Sequence, residues 1–230
     1  MKESRHMYSY SGIHVKFITA FLAFILLIAN IAKAETIPSE ALQPCENKDC
    51  YVVAEKIPLK ETSEIQGVKY RSNNFVVTLP PNVIGIDQLE TITVYYRKNS
   101  PHIIISTETD KDFRLNDFTS KLLSVLDFLD IIFTKTPKDR EIFGAYDKVS
   151  WNNFMWFKKL TMENNNAFVC EKGKLKTYYI SGLEREPYKN IAWVVNSEYP
   201  DVAFRLESNI GKADFINILS SITSFKPEGK

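Results

Sequence analysis

Histidine is nearly missing from this chain. Of three in 230 residues, His6 and His14 sit in the first few turns of sequence and only His102 comes later. The commonest nucleophile–base pairs and zinc sites therefore lose their usual residue. Glycine is scarce too: the eight glycines, at positions 12, 67, 85, 144, 173, 182, 211 and 229, include no two at G-x-G spacing. Phosphate-cradling loops of the dinucleotide or P-loop kind are thereby excluded. Neither G-x-S-x-G nor S-x-x-K occurs, which removes the local signatures of the nucleophile elbow and the serine–lysine acylases. Beyond the N-terminal region no apolar run suggests a membrane span, since the most apolar later stretch, residues 122–133, carries Ser124, Asp127 and Asp130.

What is present begins with an export signal. Lys2, Arg5 and Lys16 form a basic leader, residues 17–31 are uncharged and almost wholly apolar, and Ala32-Lys33-Ala34 is a small-x-small cleavage site before Glu35. Residues 1–34 are expected to be removed, leaving 196; an uncleaved membrane anchor is the alternative. Cys45 follows Pro44 well past the apolar run, which speaks against a lipoprotein. Loss of four basic residues and one acidic residue with the leader leaves 25 basic and 27 acidic. With no positive field and no basic run, attraction to phosphate backbones is weak and nucleic-acid binding is not expected. The 44% hydrophobic and 13% aromatic content supplies surface for a folded core and argues against disorder.

Three cysteines survive cleavage: Cys45, Cys50 and Cys170. An odd number in an oxidising compartment leaves one unpaired. Cys45 and Cys50 enclose four polar residues that a disulfide could close, stabilising the loop by about 2 kcal/mol. Cys170, after Phe168-Val169, has the surroundings of a buried strand residue. A staple from Cys45 or Cys50 to Cys170 is the competing arrangement.

Residues 35–67 form an irregular, loosely attached lead-in with the cysteine loop, and residues 68–230 a single domain. Phe75–Leu79 is β-rich and is stopped by Pro80-Pro81. Residues 91–97 and 102–107 suit a hairpin, as do 168–171 with 175–181, and 191–195 with 202–206. Leu115, Phe118, Leu122, Val125, Leu126, Leu129, Ile132 and Phe133 recur at helical steps, predicting one long helix capped by Asp112 or Asn116. Residues 151–160 are read as a strand on their aromatic content. A last helix covers residues 212–225, with Pro227 beyond. The fold class is α+β: a largely antiparallel β-sheet packed against two main α-helices.

The order of these elements, the early strand ending in proline, and the ending Phe215-Ile-Asn-Ile-Leu-Ser-Ser-Ile-Thr-Ser-Phe225 resemble the PsbP/DcrB-like superfamily over residues 68–225. Pro81 is followed here by Asn82-Val83, where an aromatic often stands in that family. The resemblance implies a secreted or lipid-anchored accessory protein. It carries over no catalytic position.

Few residues remain as candidates for chemistry. Asp110-Lys-Asp112 resembles the opening of a calcium loop but fails at Arg114, Leu115 and Lys121, so no metal is expected. Asp127 and Asp130 stand one helical turn apart and read as the wet edge of a helix. Glu184, Glu186 and Glu207 have no identifiable carboxylate partner. His102, after Pro101 at a strand start, reads as structural. The tryptophans are the sharper feature. On a strand, Trp151 would share one face with Met155 and Phe157, and Phe154 the other with Trp156; one apolar face can go to the core, and the other must be covered by a helix, a neighbouring segment or a partner. Trp151 and Trp156 are accordingly the candidate protein-binding residues. The expected function is a non-enzymatic periplasmic or secreted protein that binds another protein of the envelope, as an accessory factor or as an immunity or inhibitor protein against an exported toxin. The absence of any N-x-S/T sequon hints at a bacterial rather than eukaryotic secretory origin. No cofactor is expected. The alternatives are a carboxylate-dependent, glycan-acting hydrolase and a carrier of a small ligand or lipid.

Overall fold

The computed structural model describes residues 44–59, 66–72, 74–88, 91–96, 102–117, 119, 122–141, 148–163, 165–182 and 188–225. The leader and its cleavage site lie outside the described residues. The fold is α+β. Eleven described strands form two sheets: β1 (Glu55–Lys56), β2 (Val68–Ser72), β3 (Phe75–Leu79), β4 (Gly85–Gln88), β5 (Ile92–Tyr95), β6 (His102–Thr109), β7 (Asn166–Lys172), β8 (Leu175–Ser181), β9 (Asn190–Asn196), β10 (Tyr199–Ser208) and β11 (Thr223–Ser224). The helices among the described residues are α1 (Val125–Thr134), α2 (Lys148–Met162) and α3 (Lys212–Ser221). The large sheet runs β1-β7-β8-β9-β10-β6-β5-β4 and the small one β11-β3-β2. All pairings are antiparallel except β1 with β7.

Register separates the side chains of the large sheet into two faces. Phe168, Tyr179, Ala192, Leu206, Ile105 and Ile92 stand opposite one another in a row across it. They are buried with Phe215, Ile218 and Leu219 of α3 and with Phe75, Val77 and Leu79 of β3. The opposite face carries Val169, Tyr178 and Trp193, packed beneath α1 and α2. The three predicted hairpins form. In the turn between β7 and β8, positive φ is confined to Gly173, at 58°, the first of two central residues. That is the type II′ requirement, which glycine meets without strain.

Three expectations are corrected. Residues 151–160 are helical, within α2. The buried positions Trp151, Phe154, Met155, Lys158 and Met162 follow the 3.6-residue period, but the series passes through a lysine, which a sequence reading assigns to solvent. The predicted long helix over 115–133 is broken. Residues Leu115–Asp117 form a single 3-10 turn and the α-helix begins at Val125. Ser124 Oγ accepts from Asp127 N at 3.0 Å and donates to its carboxylate at 2.7 Å, a reciprocal cap that starts α1 there. Asp112, a proposed cap, instead accepts from Thr109 N and Oγ1. The last helix ends at Ser221 rather than 225, because Thr223–Ser224 pairs with β3. The lead-in is also more firmly held than expected: Cys45, Cys50 and Ala54 are buried, Ala54 N donates to Phe133 O, and β1 extends the large sheet.

Candidate functional site

Helix α2 has two unlike sides. Its inner side buries Trp151, at 1% exposure, against Phe154 and the core beneath α1, so Trp151 leaves the list of candidate contact residues. Its outer side carries Val149, Trp156 and Leu160, whose spacings of seven and four place them on one stripe. Val149 is 48% and Leu160 59% exposed, while Trp156 is half-buried on the rim of the core. Lys159 Nζ lies 4.7 Å from the Trp156 ring centroid, a cation–π contact that steadies the indole. Asn153, between Val149 and Trp156 on the same stripe, has a buried Oδ1 with no hydrogen-bond partner among the described residues.

The cysteine loop braces this helix. Cys45 and Cys50 stand at disulfide distance with Cα atoms 6.3 Å apart. Asn47 Oδ1 accepts from Asp49 N at 2.9 Å and shapes the 3-10 turn Lys48–Tyr51, which packs on α2. Two more apolar residues, Tyr51 and Val53, stay exposed in that segment. Cys170 is a free thiol, and burial pushes it up to about 11, so it is held protonated and unreactive.

Lys158 is a site residue in the structural sense. Its side chain is fully buried, and Nζ donates to the carbonyl of Lys135 just past the end of α1. This satisfies an acceptor that the helix end leaves without an internal partner. Burial pulls the ammonium down to about 8, partly offset by Asp139. A lysine whose folded value lies below its ordinary 10.5 imposes a stability penalty that is fully present below pH 8 and is relieved as pH rises towards 10.5. Wild type should therefore gain about 2 to 4 kcal/mol relative to Lys158→Met between pH 7 and 10.5. Urea denaturation of both proteins across that range measures the difference, in which tyrosine titration cancels. Parallel curves would refute a charged, buried Lys158.

A second constellation escaped sequence reasoning. On the face of the large sheet that carries Tyr178 and Trp193, Arg205 stands directly opposite Trp193 on one neighbouring strand and Ser106 on the other. The guanidinium is paired with both Glu108 and Glu207, and Trp193 Nε1 donates to Glu108 at 2.8 Å. Burial works against the charge on Arg205, but the two carboxylates overcome it and hold the proton more tightly than usual. The i, i+2 spacing of Arg205 and Glu207 was the one local signal that both share a strand face.

Asp130 accepts from Tyr178 Oη at 2.7 Å and pairs with Lys176, while Asp127 caps α1. The His102 ring meets Tyr188 edge-on at 5.2 Å, and burial lowers its proton affinity, which fits a packing role. Glu184 and Glu186 lie outside the described residues. The hollow beside β1, lined by Lys56, Ile57, Pro58, Val169 and Glu171, opens to solvent with charged walls. Among the described residues no group of three or more histidine, cysteine, aspartate or glutamate side chains could hold a metal, and no helix is long and apolar enough to cross a membrane.

No family model matches this chain, and no curated protein matches it either. A crystal structure from Bacteroides thetaiotaomicron VPI-5482 is similar over 72% of this chain, at 12% identity and a TM-score of 0.30. This chain spans 51% of that one.

Proposed function

We propose that this is a non-enzymatic protein of the bacterial envelope that acts by binding another protein, with the outer stripe of α2 as its contact surface. The observation that carries the proposal is Trp156, half-buried and held by Lys159, between the exposed Val149 and Leu160. A partly exposed tryptophan beside exposed aliphatic side chains is a common composition of a binding hot spot. The disulfide-distance pair Cys45/Cys50, which braces the turn packed on α2, fits an oxidising compartment. Together with the export signal it supports a periplasmic or secreted location after loss of residues 1–34. An accessory role of the kind implied by the PsbP/DcrB-like resemblance and an immunity or inhibitor role against an exported toxin both belong to this class.

The hydrolase alternative draws on Glu108 and Glu207, which flank Arg205 on either side and both pair with it. Glycoside chemistry needs two carboxylates free to act across a cleft; these two share one guanidinium, so protein binding is the better-supported function. Capture from envelope extracts, identification of the captured protein and titration of the purified pair form the test. Trp156→Ala should weaken binding by about 2 kcal/mol or more, and Leu160→Asp, at a more exposed position, should weaken it without loss of fold. Unchanged affinity in both variants would overturn the assignment.

A further inference from the structure

Strand β4 closes the large sheet, and among the described residues its only strand partner is β5. An edge strand presents alternate N–H and C=O groups to whatever lies beyond it, and chains usually blunt such an edge with lysine, proline or a bulge. Gly85-Ile86-Asp87-Gln88 contains neither residue; its one charge is Asp87, and its pairing with β5 runs from Gly85↔Tyr95 to Gln88↔Ile92, with Ile84 N just before it also donating to Tyr95 O. The apolar side also runs on to the edge. Ile86 continues the row of Ile103 and Val94, both fully buried, yet Ile86 itself is 42% exposed and neighbouring Ile84 63%.

We propose that β4 is a self-pairing edge, on which a second copy of this chain docks antiparallel about a two-fold axis at Ile86. The sequence of the edge is complementary to its own reverse. The axis sets Ile86 against Ile86 and Gly85 against Asp87, so the Ile86 side chains meet on the core side. The single charge falls opposite a glycine, and no like charges face each other. An isologous contact of this kind closes after two copies and uses the β4 edge of both. So short an edge makes a transient dimer, not an obligate one. The surface is separate from α2, and either could fail without the other.

Sedimentation equilibrium over a wide concentration range tests the proposal on the mature protein. Wild type should show reversible monomer–dimer exchange, and Ile86→Lys, which sets two ammonium groups face to face, should weaken it at least tenfold while circular dichroism and melting stay unchanged. As a geometric check, Ile86→Cys should form a disulfide-linked dimer under mild oxidation, since opposed residues of an antiparallel pair lie within disulfide reach. Val149→Cys, exposed on α2, should not. A wild type that stays monomeric throughout would overturn the proposal. So would a dimer untouched by Ile86→Lys, or one broken instead by Trp156→Ala.

Discussion

Arg205→Met is expected to cost about 3 to 5 kcal/mol of stability, because it strands two carboxylates inside the fold. Glu207 keeps only 6% of its side chain exposed and Glu108 15%, and both are paired with the one guanidinium. The pair attraction itself does not set the size of the effect. Removing water from three charges is costly, and attraction roughly offsets that cost while all three are present; deleting the cation leaves the cost alone. The triple variant Arg205→Met, Glu108→Gln, Glu207→Gln should recover much of the loss. Urea unfolding of the single and triple variants gives the comparison. A single-variant loss under about 1 kcal/mol would mean that water reaches the carboxylates freely.

Leu219→Ala should cost about 2 to 5 kcal/mol. Leu219 is 1% exposed among Phe215, Ile218, Phe75 and Val77, where α3 clamps the small sheet onto the large one. Collapse of the cavity is hindered because the helix is held elsewhere. Lys172 Nζ donates to Ser220 O at 2.6 Å, and Ser221 Oγ accepts from Thr78 N at 2.9 Å. The matching change in α1, Leu126→Ala, should cost less than about 2 kcal/mol, since Leu126 is only half-buried at the helix margin. Equal losses at the two sites would contradict this assignment of faces.

What the amino-acid sequence determined by itself was whatever short-range chemistry controls. Pro80-Pro81 ends β3 because proline cannot donate to a ladder. Gly173 turns β7 into β8, and the period of Phe215, Ile218 and Leu219 forms α3. The Cys45/Cys50 loop was legible for the same reason, four intervening residues being too few for many conformations. Tertiary structure decided the rest. Residues 151–160 form a helix that brings Lys158 to the Lys135 carbonyl, 23 residues earlier, which receives its ammonium and makes a buried lysine tolerable. Which tryptophan faced outwards followed from that helix, because a helix separates Trp151 from Trp156 by a different rule than a strand does. Glu108 met Arg205 across 97 residues through strand register, and Ile86 stayed exposed because β4 is last in the sheet order. Neither position is encoded locally: register and strand order are settled by the global burial of one sheet face, which depends on all the strands at once.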